Sequence, residues 1–434
     1  MNPPASRRAV RGTTRRDVLR GGTTAILASA IAPYARTAPL QAGGDEVLRV
    51  GLIGCGGRGR GAAWNALMAD PNTKLVALGD IFADHLADAH KWLSQDEQVG
   101  SRVEVDEAQR FVGWDAYKGV IENSDVVLMA GTPAFRPLHV EACVEAGKHM
   151  FVEKPVATDG PSLRRIMAAG ERAREKHLSL VSGLCYRYQF AKQETVQRIH
   201  DGAIGDIVSM QTTYNAGPLW LRARQPEWTE MEYQIRNWIY YYHLSGDHIA
   251  EQHIHSLDKI AWAKDGYPIK AISSGGRIQR TGAEYGNVYD HFNTVYEWED
   301  GVRAFSSCRQ WNNAAQDVSD YVHGTRGSAN LQGHRIRSGK AWSWRYESEE
   351  PDDMYQNEHD ALFASIRGGD PINNSDYMCK STLMALMGRL SAYTGRTITA
   401  EEALQSQEDL SVKDRVFGDV GTAPVAIPGV HQFS

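Results

Sequence analysis

The segment Val47-Leu-Arg-Val-Gly-Leu-Ile-Gly54-Cys-Gly56-Gly-Arg-Gly59 constrains this chain more than any other. It reads as a buried strand that ends in a glycine turn and opens a helix, which is the context of the G-x-G-x-x-G dinucleotide fingerprint. Gly54 allows the tight turn, Gly56 lets backbone approach a pyrophosphate, and Gly59 lets helix pack on strand. Gly57 and Arg58 complete the loop, and the helix N-terminus offers unpaired N–H groups to phosphates. A second apolar run, Lys74-Leu-Val-Ala-Leu-Gly-Asp80, ends in an acid where a ribose hydroxyl needs an acceptor. A carboxylate there repels a 2′-phosphate, so NAD is expected over NADP. The alternative for Asp80 is a strand-end turn or helix cap.

At 434 residues, about two domains are expected. Hydrophobic content of 42% and charged content of 23% are those of a globular chain. The net charge of −6 leaves no basic footprint, so nucleic acid is not an expected partner. Five scattered cysteines, with no C-x-x-C, argue against a disulfide framework and a thiolate zinc site.

Residues 1–45 read as an export signal and linker. Arg7, Arg8, Arg11, Arg15 and Arg16 precede a short apolar run, 25–32, with small-residue cleavage positions. Thr14-Arg15-Arg16-Asp17-Val18-Leu19 resembles the twin-arginine motif. The expectation is a periplasmic or otherwise exported protein, passed through the twin-arginine translocase, with no membrane span in its mature form. That route carries folded proteins, so a cofactor loaded in the cytosol is expected to be tightly held.

Residues 46–180 alternate strands (48–54, 74–80, 125–130, 149–152, 178–182) with helical patterns, the signature of a doubly wound parallel sheet. From 181 to 420 the strand-like runs 207–214, 269–278, 290–299, 303–310 and 318–324 predict a second domain on a large, mostly antiparallel open sheet. Helices within 356–394 are expected to pack back, and 421–434 reads as a tail. The fold class is thus α/β plus α+β.

Chemistry-bearing residues gather at predicted strand ends. Thr132-Pro133 and Glu153-Lys154-Pro155 follow successive strands at the carboxyl edge, where open α/β sheets bind ligands. Lys154 there would stabilise a developing alkoxide; taken alone, it reads first as a surface lysine in a strand-end loop. In Gly246-Asp247-His248-Ile-Ala-Glu251-Gln-His253-Ile-His255, a continuous helix puts Asp247, Glu251 and His255 on one face. A His beside a carboxylate is a tuned general base. The alternatives are a solvated capped helix or a shared metal ion, but no H-E-x-x-H is present and no metal site is assigned. Asn237 and Trp238, with Trp220, Arg222, Trp228, Arg309 and Trp311, are candidates for a sugar pocket or for ordinary aromatic core.

The ordered set of the glycine fingerprint, Thr132-Pro133, His139, Gly147-Lys148-His149 and Glu153-Lys154-Pro155 resembles the Gfo/Idh/MocA oxidoreductases, most clearly over 47–155. The resemblance implies hydride transfer to or from sugars or polyols, and homo-oligomers, dimer or tetramer, packed through the open sheet. It implies cofactor contacts from Gly54, Gly56, Gly57, Arg58, Gly59, Asp80, Thr132, Pro133, His139, Glu153, Lys154 and Arg187. It makes His255 the proton-transfer group, with Glu251 standing where the family has Asp, and Lys154 the residue that orients cofactor and substrate; with Asn237 and Trp238, read from their own segment, Lys154 and His255 are the expected substrate contacts. Three functions are expected to compete: an exported NAD-dependent sugar or glycoside dehydrogenase, a redox-neutral glycoside hydrolase or lyase using transient ring oxidation, and a non-catalytic sugar-binding protein with a relic cofactor site.

Overall fold

A computed structural model describes residues 46–339 and 342–433. The arginine-rich segment and the apolar run 25–32 lie outside the described residues, so the export reading has no structural counterpart here.

Six parallel strands form the first sheet: β1 Leu48–Ile53, β2 Thr73–Asp80, β3 Arg110–Val112, β4 Val126–Met129, β5 His149–Val152 and β6 Leu180–Ser182. Their spatial order is β3-β2-β1-β4-β5-β6, the doubly wound order whose direction reverses between β1 and β4. The central strands are buried on both faces, which explains their unbroken apolar runs. Helices Gly57–Ala69, Ala83–Ser94, Ala116–Asn123, Arg136–Glu145 and Gly160–Glu175 return the chain between strands.

The second sheet has nine strands: β7 Ile207–Ala216, β8 Lys270–Gly276, β9 His291–Glu297, β10 Arg303–Gln310, β11 Asp317–Gly324, β12 Gly327–Asn330, β13 Arg335–Ser338, β14 Trp342–Arg345 and β15 Ile398–Thr399. Only β7 and β10 pair in parallel; the other pairings are antiparallel. Alternation along β10 buries Ala304, Ser306 and Cys308 and exposes Arg303 and Phe305, so one face is core and the other open.

The late helices return to the first sheet. Leu362 and Phe363 of Met354–Gly368 join the core beneath β1, β4 and β5. Ser375–Thr394 is buried almost all round, and its Met378, Cys379 and Leu386 join the other face of that core. All five cysteines are buried and unpaired.

The stretch 246–263 is not one helix. It forms His248–Glu251, a break at Gln252 and His253, then Ile254–Lys264. Two side chains in the break reach the second sheet: Gln252 accepts from Gln310 Nε2 at 2.7 Å and His253 Nε2 meets Ser306 Oγ at 2.6 Å. Asp247 precedes the first piece at φ +68°, outside the helix. Its carboxylate accepts from Tyr289 N at 2.8 Å and Tyr393 OH at 2.6 Å. The expected common face of Asp247, Glu251 and His255 is therefore absent; Asp247 braces the second sheet instead.

Candidate functional site at the carboxyl edge of the first sheet

The loops after β1, β2, β4 and β5 meet at one edge. Gly54, at φ +93°, comes so close to the loop after β4 that a Cβ would lie 2.3 Å from Gly131 N. A Cβ on Gly59 would fall 1.9 Å from Gly54 O, so helix and strand touch through bare backbone. A Cβ on Gly56 would meet nothing within 4 Å, leaving open space before the loop. The helix starting at Gly57 has no side-chain cap and no acid in its first turn. Its first N–H groups therefore lack internal acceptors, and such an end suits an anion.

A cleft begins at this loop. Gly54, Gly56, Asp80, Thr132, His139 and Trp238 all line it. Asp80 takes Cys55 N at 2.6 Å and Phe82 N at 2.9 Å, so the acid also ties the glycine turn to the end of β2. Thr132 precedes the short helical turn that Pro133 opens. His139 is buried against the Tyr117 ring at 4.7 Å, and burial, then Arg136 and Arg415, push its pKa down to about 3. These residues fit a dinucleotide: open donors for a diphosphate, an acid at the ribose position and apolar or aromatic walls beyond it.

Several expected contacts are placed otherwise. The Arg58 guanidinium pairs with Glu153 and Glu358 and lies over the rings of Phe151 and Tyr355. It braces the loop from behind. Glu153 is buried and bonds Arg58 and the Lys154 N–H, at 3.1 Å for the latter. Against the upward push of burial, Arg58, Lys154 and Arg136 hold its carboxyl below the usual range. Glu153 is thus a positioning residue for Lys154. The buried pair Arg187 and Asp258 is bidentate, at 2.9 and 2.8 Å, and the guanidinium is sandwiched by Trp262 and Tyr377. Arg187 therefore has a structural partner instead of an open cofactor-facing end. Asn237 is fully buried and its amide bonds the backbone of Arg222 and Tyr233; it shapes a loop and offers nothing to a substrate. Trp238 packs against Trp220 and lines the cleft that begins at the glycine loop.

Lys154, Glu251 and His255 do converge. Lys154 Nζ donates to the Glu251 carbonyl and stands 3.4 Å from Glu251 Oε1, with both side chains largely shielded from water. His255 follows on the next helix, its ring edge-on to Tyr186 at 5.3 Å. Burial first, then Lys154 and Lys259, pushes the His255 pKa well below the histidine range. The ring is neutral at pH 7 and able to accept a proton. Among the described residues no cluster of His, Cys, Asp and Glu is arranged to hold a metal ion.

Sequence reasoning missed Arg136, Tyr186 and Glu358. Arg136 joins the loops after β4 and β5 through the carbonyls of Gly131 and Pro155, and burial lowers its pKa to about 10. It stands four residues after Thr132, close enough to have been included in that motif. Tyr186 and Glu358 carry no local signal, because their partners are remote in sequence.

Residues 48–184 match the profile described as "Oxidoreductase family, NAD-binding Rossmann fold", and 193–330 match the "GFO/IDH/MocA C-terminal domain". An inositol 2-dehydrogenase from Saccharopolyspora erythraea is 28% identical over 290 residues, 65% of this chain and 73% of that protein. A glycosyl hydrolase family 109 protein from Porphyromonas gingivalis is 27% identical over 173 residues, 39% of this chain and 34% of that one. For several curated relatives, that hydrolase among them, the chain spans less than half their length. A levoglucosan dehydrogenase solved with NADH and levoglucosan superposes with a TM-score of 0.63 at 18% identity, over 82% of this chain and all of the other.

Proposed function

The chain belongs to the Gfo/Idh/MocA oxidoreductase family, and from that premise we propose that it oxidises a ring hydroxyl of a sugar or glycoside with tightly held NAD. The observation that carries this is the meeting of Lys154, Glu251 and neutral His255 at the same sheet edge as the open glycine loop. Bound NAD supplies the hydride acceptor and, reduced, the donor. The chain's own groups do the rest. His255 takes the hydroxyl proton, and the Lys154 ammonium, held by Glu251, stabilises the oxygen as negative charge develops. Arg58, through Glu153, fixes the backbone that presents Lys154. Asp80 disfavours a 2′-phosphate and thereby NADP. Export by the twin-arginine route, with the cofactor loaded beforehand, belongs to this proposal.

The test starts with the mass of any ligand released when natively purified protein is denatured, which should be NAD. Single-turnover incubation with a glycoside panel should then produce nicotinamide reduction. Bound NAD with no reduction by any sugar would overturn the dehydrogenase reading.

The similarity to a glycosyl hydrolase favours a second reading. Oxidation at a ring carbon acidifies the neighbouring C–H; loss of that proton expels the glycosidic group, which leaves as the alcohol, water adds across the double bond so formed, and hydride return restores the ring hydroxyl. A cleaved glycoside with no net NADH and solvent deuterium at that carbon would identify it.

The resemblance also implies oligomers, and the uncovered face of the second sheet supports them. Ile272, Val295, Phe305 and Tyr321 lie in one cross-strand row with Gln211, and Ile272 and Phe305 are more than half exposed. An apolar row of this kind marks an association surface. Phe305→Asp should convert a dimer or tetramer into smaller species by light scattering; an unchanged mass would remove this face from the assembly. Among the described residues no helix is long and apolar enough to cross a membrane.

A further inference from the structure

Residues 406–433 contain no helix and no strand, yet both ends of the stretch are tied down. At its start, Arg164 donates to the Ser406 carbonyl at 3.0 Å and Asp159 accepts from Leu410 N at 2.8 Å. Further on, Met231 N reaches Gly418 O at 3.1 Å, Gln234 reaches Thr422 at 3.1 Å, and Tyr289 OH reaches Ala426 O at 2.9 Å. The first anchors are on the helix after β5; the later ones are on the second domain. The span between them crosses the cleft that begins at the glycine loop.

One side chain of that span enters the cleft and a second packs on its wall. Arg415 lines it together with Asp80 and His139. Its Nη1 has no hydrogen-bond partner, and its ion pair with Asp115 is long, at 3.7 Å. Phe417 stacks on Phe82 at 5.8 Å and tilts onto Trp114 at 5.2 Å, and both of those rings are part of the cleft wall. Phe417 itself remains 40% exposed, so core burial does not account for its position. An aromatic face and a guanidinium with an unused donor suit a flat, heteroatom-rich ring. Asp80 marks this end of the cleft as the adenosine side.

We propose that residues 411–417 form a strap that encloses the adenosine half of the dinucleotide and retards its release, with Arg415 and Phe417 as the retaining residues. The proposal rests on the reading of the cleft as an NAD site. Release requires the middle of the strap to lift away while its anchors hold, and that separates Phe417 from Phe82 and Trp114. Val416 lies between the two retaining residues and is 61% exposed, so it serves as the internal control.

The experiment uses the full chain loaded with NADH and chased with excess NAD, following the fall of bound-NADH fluorescence. Arg415→Ala combined with Phe417→Ala should release NADH at least about tenfold faster, Phe417→Leu should fall between, and Val416→Ala should match the parent. The thermal midpoint of nucleotide-free protein should be the same in all four. Folded double and Leu variants that release within about twofold of the parent would overturn the strap while leaving the NAD site intact. A parent that yields no dinucleotide on denaturation and binds no added NADH would overturn both.

Discussion

His255→Ala is expected to lower kcat on the oxidised sugar by about 10²- to 10⁴-fold, the usual contribution of a positioned proton-transfer group, while leaving NADH binding at the parent level. The separation of effects follows from placement. His255 lies on the Ile254–Lys264 helix, beside Tyr186 and Lys154, and does not line the cleft of Gly54 and Asp80. Burial, reinforced by Lys154 and Lys259, keeps the ring neutral well below the ordinary histidine range. The base form is therefore present at neutral pH and persists on acidification. The acid limb of kcat/KM attributable to this group should lie below about pH 6.5, the unperturbed value. Lys154→Met should reduce kcat as well, through loss of the cation at the developing oxyanion. Equal turnover of parent and His255→Ala would remove His255 from the mechanism, and no turnover by the parent, with sugar binding intact in both, would favour the relic-site reading over either enzymatic one.

The alternation of buried strand, turn and helix made the first sheet legible, because fully buried parallel strands must be apolar throughout. β3, a three-residue edge strand of Arg110–Val112 with no buried position, carries no such signal. Strands β12 to β14, at one end of the second sheet with sequences GSAN, RIRS and WSWR, were missed because four residues each are too few to establish a period. Polar side chains were harder. Arg187 and Asn237 have the chemistry of ligand contacts, but Arg187 is satisfied by Asp258, 71 residues onward, and Asn237 by a loop 15 residues back. No local pattern distinguishes a buried polar group that has found such a partner from one awaiting a substrate. Lys154 was legible because its motif includes the glutamate that positions it. The interrupted helix at Gln252 and His253 was not, since helical periodicity does not register side chains recruited by a distant sheet. The stretch 421–433 carries no helix or strand, and its anchors, such as the Tyr289 hydroxyl on Ala426, had no local signal because they are supplied from elsewhere in the fold.

Acidification should unfold this protein well before its carboxylates are neutralised. His139, His253 and His359 are buried, and burial as the leading cause brings each pKa down to about 3. His253 Nδ1 and His359 Nε2 have no hydrogen-bond partner, so a proton added there would be a buried, unpaired charge. In the unfolded chain the same rings protonate below about pH 6.5. Because the folded values are depressed, stability is fully present above about pH 6.5 and is lost as pH falls from there toward about 3. Each ring contributes about 1.4 kcal/mol per pH unit across that window, and the three together about 4 kcal/mol per unit, against a typical total of about 5–15 kcal/mol. Depressed carboxylates add to this loss at its acid end. Asp290, for example, is held well below the usual carboxylate range, against the upward push of burial, by His291 and by backbone and indole N–H groups, so its share of the stability goes as pH falls below about 3.9, where the unfolded chain protonates. Scanning calorimetry between pH 7 and 5.5 should therefore show Tm falling by about 5 °C, with proton uptake on unfolding. His139→Phe, which retains a ring against Tyr117, should reduce the slope by about one proton. A Tm independent of pH across this interval would mean that these rings take up protons within the fold, and the neutral, unpartnered state assigned to them would be wrong.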